Sequence, residues 1–149
     1  MEGKRTANID KLSFAKEHSF KLLNKLHLLK KRELMCDATL TVGGKDFLVH
    51  RVILSASSSY FRAMFTNGMA ESYLDHVEIH GINADVFQTI LDFIYSGRVD
   101  VNEGNVQQLL LASKMLQVED IEVICCHFLK HELDSSNCVG IYLFSDAHS

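Results

Sequence analysis

The sequence predicts an α+β fold in which a small mixed sheet is flanked by a cluster of α-helices. Residues 38–49 form two short alternating segments separated by Gly43-Gly44, a pattern typical of a β-hairpin. From His50 onward the apolar residues recur every three or four positions, as on the buried face of a helix. A chain of 149 residues is the size of one domain. No apolar run reaches the roughly 18 residues that a membrane span needs, so we expect none.

The first predicted helix covers residues 13–31, follows a flexible segment over residues 1–12, and has Ser13 as its N-cap. Its apolar residues fall on two stripes: Leu22, Leu26 and Leu29 on one, and Phe20, Leu23 and His27 on the other. One stripe can pack on the domain's own core, whereas the other needs a partner chain because exposed leucines are costly. The alternative, one broad stripe on one core, stays open.

The segment from His50 to Phe65 is predicted to form two short helices. The serines between Ser55 and Ser59 separate them, because serine side chains compete for the backbone and favour helix caps. A strand over residues 77–79 follows, and then a helix capped by Asn83 and ended by Gly97. Next come a strand over residues 99–101 and a helix begun by Asn105, with Gln108 as its partner in a capping box. The last two predicted elements are a helix containing Ile121, Cys125 and Leu129 and a helix that starts at residues 134–137.

Charge divides the chain into a basic beginning and an acidic remainder. Residues 1–35 hold nine Lys/Arg and four Asp/Glu, a balance of +5, and residues 36–149 hold six and fifteen, a balance of −9. The two balances sum to the net charge of −4. The lysines alternate with phenylalanines and leucines, which is typical of the polar face of an amphipathic helix. Because the acidic remainder would also repel phosphate, we expect no binding to nucleic acid.

The four cysteines have no regular spacing, and the N-terminus lacks the apolar core of a signal peptide. We therefore expect reduced thiols and a cytoplasmic protein, with the nucleus as the alternative. A metal site at Cys125-Cys126-His127 with His131 is not expected, because only His127 and His131 share a helix face. Cys125 is in register with the apolar residues of its helix and is predicted to be a buried small hydrophobe.

No catalytic constellation can be assembled from the sequence. The serines near His50 are not part of a Gly-x-Ser-x-Gly elbow, and no acidic residue is placed to orient the histidine. Gly43-Gly44 lacks the Lys-Ser/Thr that follows a phosphate-binding loop. We therefore expect a protein that is not an enzyme and that needs no metal or cofactor.

The residue pattern resembles that of the BTB/POZ domain. The residues that carry the resemblance are Cys36-Asp37, Phe47-x-x-His50-Arg51-x-x-Leu54 and Ser57-Ser58-Ser59-Tyr60-Phe61-x-x-Met64-Phe65. Outside this core the sequence is similar to the kelch-like branch of the family, through Leu91–Gly97, Cys125–Leu129, Leu133–Ile141 and Phe144–Asp146. The resemblance implies a BTB/POZ domain over residues 13–132. It also implies that residues 133–149 begin the helical BACK region.

The resemblance implies a homodimer in which the first helix packs across a two-fold axis. The implied interface residues are Phe20, Leu22, Leu23, Leu26, Asp37 and Arg51. Asp37 and Arg51 are expected to pair near the dimer centre if both are buried, because removing one partner of a buried pair is costly. Two exposed charges remain the alternative for these residues.

The kelch-like resemblance further implies an adaptor that docks on cullin-3 of a RING-type ubiquitin ligase and holds its substrate with a kelch propeller, which this chain lacks. Met69-Ala70-Glu71 matches the docking motif, an apolar residue, any residue and then Glu. The other implied contacts are Tyr60, Phe61, Met64 and Tyr142. For Tyr60 and Met64 plain core packing stays open. Two other functions also remain: corepressor recruitment in a transcription factor, and a cullin-independent self-association or cytoskeletal scaffold.

Overall fold

The computed structural model describes residues 2–68 and 75–132, with the side chains of the first helix described from Asp10 onward. Within these ranges the chain forms six helices and three strands, in the order α1 (Glu2–Lys31), β1 (Ala38–Val42), β2 (Lys45–Val49), α2 (Arg51–Ser57), α3 (Ser59–Thr66), β3 (His76–Ile79), α4 (Ala84–Ser96), α5 (Val106–Met115) and α6 (Glu119–Glu132). The predicted α+β fold class is confirmed. The helix predicted to start at residues 134–137 lies outside the described residues.

The three strands form one mixed sheet in the order β2-β1-β3. β1 and β2 are antiparallel, with Leu40 opposite Phe47, and β1 and β3 are parallel. The predicted hairpin is confirmed. Its turn has positive φ at both Gly43 (58°) and Gly44 (80°), which is the type I′ geometry that glycine adopts without strain. Alternate residues of β1 are buried, so one face of the sheet lies against the core.

The core lies between the inner face of the sheet and α4. Phe47 on β2 meets Phe87 on α4 edge to face, with ring centroids 4.9 Å apart. Both ends of α4 are as predicted. The Asn83 side chain accepts a hydrogen bond from the Asp85 amide (2.7 Å), and Gly97 ends the helix in the left-handed region with φ of 75°. The six buried residues of α4 are Val86, Phe87, Ile90, Leu91, Ile94 and Tyr95.

The predicted break between two short helices is confirmed at Ser58, which is buried. As the N-cap of α3, Ser58 accepts a hydrogen bond from the Phe61 amide at 3.1 Å. The same hydroxyl donates to the carbonyl oxygen of Leu116, at the end of α5. One buried serine therefore starts a helix and also ties it to the turn that precedes α6.

The prediction for the start of α1 was wrong. The helix begins at Glu2 rather than near Ser13, so Ser13 lies inside it and caps nothing. The segment over residues 1–12, expected to be flexible, has a helical backbone from Glu2 onward. Apart from Gly3, these residues are compatible with a helix, and one serine did not outweigh them. Among the described residues, no helix is both long enough and apolar enough to cross a membrane.

Two predictions around α5 were also wrong. Residues 99–101 show the expected alternation, with half-buried Val99 and Val101 around exposed Asp100, but they pair with no strand in the described part of the chain. Asn105 forms no capping box with Gln108. Its side chain instead accepts from the Asn102 amide and donates to the Asp100 carbonyl, both at 2.9 Å. The side chain closes the preceding turn, and this use competes with a cap.

Candidate interaction surface

The upstream part of α1 is exposed along its described length. Every described side chain from Asp10 to Phe20 is exposed. The helix packs on α4 further downstream, where its half-buried residues are Leu23, Leu26, His27, Leu29 and Lys30. His27 lies beside Tyr95 of α4, with ring centroids 6.3 Å apart. Of the side chains described on this helix, those that anchor it on the domain therefore lie from Leu23 onward.

The downstream residues of the two predicted stripes of α1 lie on one broad inward face, whereas Phe20 and Leu22 are exposed. Leu23 and His27 came from one stripe and Leu26 from the other, yet all three face the domain. Successive helical residues differ by about 100°, so stripes offset by two or three positions merge into one face. The alternative of a single broad stripe therefore describes residues 23–30. It does not account for the residues upstream.

A set of large apolar side chains on and beside α1 remains exposed to solvent. We call this set the α1 apolar surface: Leu12, Phe14, Phe20, Leu22 and Leu28 on more than one side of the helix, Leu34 and Met35 just after it, and Val52 at the start of α2. Phe14, Met35 and Val52 are 69%, 80% and 73% exposed. Of the predicted interface residues, Phe20 and Leu22 belong to this surface, whereas Leu23 and Leu26 pack on the domain itself. Leu34, Met35 and Val52 were missed, because the contact that joins their two segments, between Leu34 and His50, forms only in the folded chain.

Asp37 and Arg51 contact each other, but not as a buried ion pair. An Asp37 carboxylate oxygen accepts from the backbone amide of Arg51, the first residue of α2, at 2.8 Å. The Arg51 Nε donates to the Asp37 carbonyl oxygen at 3.2 Å. Asp37 is exposed and Arg51 is half-buried, with its guanidinium 5.2 Å from the Phe65 ring centroid and 3.7 Å from an Asp75 oxygen. In the single chain, therefore, neither a fully buried pair nor the alternative of two exposed charges describes both residues. Their pairing near a dimer centre stays a prediction.

A buried polar network behind this surface was not predicted. His50 is 6% exposed, and its Nε2 lies 2.8 Å from the Leu34 carbonyl oxygen. Its Nδ1 lies 2.7 Å from the Tyr95 hydroxyl, which also accepts from the His50 backbone amide at 3.1 Å. Burial raises the pKa of Tyr95 to about 12. A histidine and a tyrosine at otherwise apolar positions of the sequence were the available signal.

The predicted cullin contacts on α3 have different environments. Phe61 is fully buried and stacks on Phe65, with ring centroids 6.0 Å apart, so it serves the core and is withdrawn as a contact residue. Tyr60 and Met64 are half-buried and pack against the core, which is the alternative raised for them. The exposed residues of α3 are Ser59, Arg62, Ala63 and Thr66. Met69, Ala70, Glu71 and Tyr142 lie outside the described residues.

A groove of roughly 470 Å³ opens where α2 meets α3. Its walls are the serine-rich junction, the C-terminal end of α4, the turn between α5 and α6, and Leu23 of α1. Its charged lining residues are Arg62, Glu119 and Asp120, and the lining serines are Ser55, Ser57, Ser58 and Ser59. The groove therefore presents hydroxyl groups and charges of both signs, and Leu23 of α1 borders it.

The described cysteines are free thiols, and Cys125 is buried as predicted. Burial raises the pKa of Cys125 to about 12 and also raises the pKa of Cys36. Both thiols are therefore protonated and weakly nucleophilic at neutral pH. His127 and His131 do share a face, with ring centroids 5.8 Å apart. Within residues 2–68 and 75–132, however, no three His, Cys, Asp or Glu side chains are grouped to hold a metal ion.

Comparison with known proteins identifies the fold family. The family model for the BTB/POZ domain matches residues 26–133. Among solved structures, the BTB domain of zebrafish PATZ1 superposes with a TM-score of 0.71 at 31% sequence identity, over 78% of this chain and 95% of that chain. The BTB domain of human gigaxonin superposes with a TM-score of 0.68 at 33% identity, over 76% of this chain and 92% of that chain. The chain therefore belongs to the BTB/POZ family, whose members are protein-interaction domains that self-associate.

Proposed function

We propose that this BTB domain is a homodimeric, non-catalytic adaptor that docks on cullin-3 in a RING-type ubiquitin ligase. The observation that carries the first half of this proposal is the α1 apolar surface. A half-exposed leucine or phenylalanine gives up about 1 kcal/mol of burial free energy, so several of them on and beside one helix favour a partner chain. A second copy is the partner that the self-association of the family supplies.

Charge supports pairing between two copies of the chain. Residues 1–35 carry a balance of +5 and residues 36–149 a balance of −9. The basic residues of α1 lie among its exposed apolar side chains, and acidic Glu119 and Asp120 line the groove that Leu23 also borders. Opposite charges around a nonpolar contact steer association and set its register. Asp37 and Arg51 are proposed to lie near the two-fold axis.

Cullin docking rests on the sequence Met69-Ala70-Glu71 and on its position after α3. That helix ends at Thr66, so the motif follows it within a few residues along the sequence. A flexible methionine can fill an apolar pocket of the partner while the glutamate makes a directional charged contact. The proposed docking set also includes Tyr60 and Met64, through their exposed edges, and Tyr142. The kelch-like resemblance is the second support.

In the full assembly, a kelch propeller would hold the substrate, and residues 133–149 would begin the BACK region. The proposed location is the cytoplasm, with the nucleus as the alternative. Two substrate sites on one dimer would raise the effective concentration of the ligase at its target. This gives self-association a use in the proposed function.

A calorimetric titration with the N-terminal domain of cullin-3 tests the docking site. We expect binding close to one cullin domain per chain, and we expect Glu71→Ala and Met69→Ala to weaken it. Glu78→Ala is the matched control, because Glu78 is an exposed glutamate on the edge strand β3. Absence of heat from a folded wild-type dimer would contradict cullin docking. Equal losses in Glu71→Ala and Glu78→Ala would show that the motif is not the contact.

A second candidate function, corepressor recruitment, is favoured by the groove at the α2–α3 junction. Its volume of roughly 470 Å³ and its hydroxyl and charged groups suit an extended polar peptide. This function predicts that corepressor peptides bind the chain. Substitution of Arg62 should weaken that binding, and substitution of Glu71 should not. A scaffold that acts by self-association alone predicts a dimer that binds neither cullin-3 nor such peptides.

A further inference from the structure

We infer that His50, held by Tyr95, positions the α1 apolar surface by fixing the connection between α1 and β1. The inference rests on the proposed self-association and names residues that make no contact with the partner themselves. His50 precedes α2, Tyr95 lies near the end of α4, and Leu34 lies on the connection. The buried network therefore joins the three parts of the chain that meet behind Leu34, Met35 and Val52.

The hydrogen-bond geometry allows one consistent assignment for the neutral imidazole of His50. A carbonyl oxygen only accepts, so Nε2 carries the hydrogen and donates to Leu34 at 2.8 Å. Nδ1 then accepts from the Tyr95 hydroxyl at 2.7 Å, and the same oxygen accepts from the His50 amide at 3.1 Å. Tyr95 therefore selects the tautomer that holds Leu34, in the way that an oriented partner fixes an imidazole.

The α1–β1 connection needs such a restraint because its backbone is strained. Glu33 and Met35 have φ of 56° and 62°, in the left-handed region that side chains with a Cβ disfavour. On the helix side, the Leu34 amide bonds to the Leu29 carbonyl oxygen at 2.9 Å. On the strand side, the Asp37 amide bonds to the Val49 carbonyl oxygen at 3.0 Å. The His50 bond holds the middle of the connection, between its two left-handed residues.

The consequence for the surface follows from chain connectivity. Leu34 and Met35 are exposed apolar residues on the restrained connection, and Val52 lies two residues beyond His50. If the Leu34 carbonyl is released, the connection can relax and shift Leu34 and Met35 relative to Val52. Interfaces depend on groups being held in place before binding, so the expected loss appears in association.

Two substitutions at His50 separate the halves of the network. The side-chain amide of His50→Gln reaches the place of Nε2 and keeps the bond to Leu34, whereas His50→Asn reaches only the place of Nδ1 and loses that bond. Sedimentation velocity over a concentration series gives the dimer dissociation constant. We expect His50→Asn to raise it about tenfold, as the loss of one buried hydrogen bond implies, and His50→Gln to stay within about twofold of wild type.

A stability control separates positioning from general damage. Ser113→Ala removes a buried hydrogen bond within α5, from the Ser113 hydroxyl to the Leu110 carbonyl oxygen, away from the connection. We expect it to lower the unfolding midpoint without changing the dimer constant. Folded His50→Asn that dimerises like wild type, or His50→Gln as weak as His50→Asn, would overturn the inference alone. A monomeric wild type would overturn the proposed self-association as well, so the two failures are distinguishable.

Discussion

Removing the apolar side chains of α1 that face solvent should dissociate the dimer and leave the fold intact. Phe20 and Leu22 are 51% and 49% exposed, so about half of each side chain is available for burial by a partner. Full burial of such a side chain contributes about 1.5–3 kcal/mol, which leaves about 1 kcal/mol for each of the four side chains in a dimer. The double substitution Phe20→Ser with Leu22→Ser should therefore cost about 4 kcal/mol of association free energy, or roughly a thousandfold in the dissociation constant.

Sedimentation velocity over a concentration series is the assay, with Val123→Ser as the matched control. Val123 is an apolar residue exposed to a similar degree, at 58%, but it lies on α6. The control should dimerise like wild type, and circular dichroism should show both variants folded. A double variant with an unchanged dimer constant would refute the assignment of α1 as the pairing surface. A control that dissociates equally would show that loss of any exposed apolar side chain has this effect.

Three further predictions concern stability. Gly43→Ala should destabilise the fold by about 1–2 kcal/mol in urea unfolding, because φ is +58° and the new Cβ would lie 3.0 Å from the Ala84 nitrogen. An unchanged unfolding midpoint would contradict the turn geometry. Ser58→Ala should cost about 1–3 kcal/mol by removing the α3 cap and the bond to Leu116, and a loss below about 0.5 kcal/mol would contradict this role. Folding raises the pKa values of Cys125 and Tyr95 to about 12, from 9.0 and 10.0 respectively. The contribution of each group to stability is therefore complete below its unfolded pKa and is lost as the pH rises toward 12. Urea midpoints that stay constant from pH 8.5 to 11.5 would contradict this last expectation.

The parts of the fold that depend on local chemistry could be predicted from the sequence. Gly43-Gly44 allows a type I′ turn, Asn83 and Gly97 start and end α4, and Ser58 caps α3. In each case the residue and the backbone conformation it favours are within a few positions of each other. No distant part of the chain was needed to interpret them.

The failures arose where a distant neighbour or a competing contact decides the outcome. Residues 99–101 alternate as a strand does, yet strand formation requires a pairing neighbour, which the described residues do not supply. Asn105 is a good capping residue, but its side chain is hydrogen-bonded to the Asn102 amide and the Asp100 carbonyl instead. Ser13 is a good N-cap that lies within a longer helix. Local sequence preference makes such features possible, and tertiary contacts decide which of them form.

The candidate surface was predictable in part. The excess of apolar residues on α1 was visible from composition and spacing, although the sequence did not reveal that Leu23 and Leu26 face the domain. Phe61 could not be separated from its neighbours on α3, because a short helix with apolar residues on several sides has no single obvious core face. Leu34 and His50 meet only in the folded chain, so local patterns cannot group Met35 with Val52.

The mass of the complex formed with the N-terminal domain of cullin-3, measured by light scattering after size-exclusion chromatography, tests the central proposal most directly. We expect one species that contains two copies of this chain and two cullin domains. Elution of a dimer separate from free cullin would contradict the adaptor function while leaving self-association standing. A complex of one chain with one cullin domain would instead contradict the homodimer that the α1 apolar surface predicts.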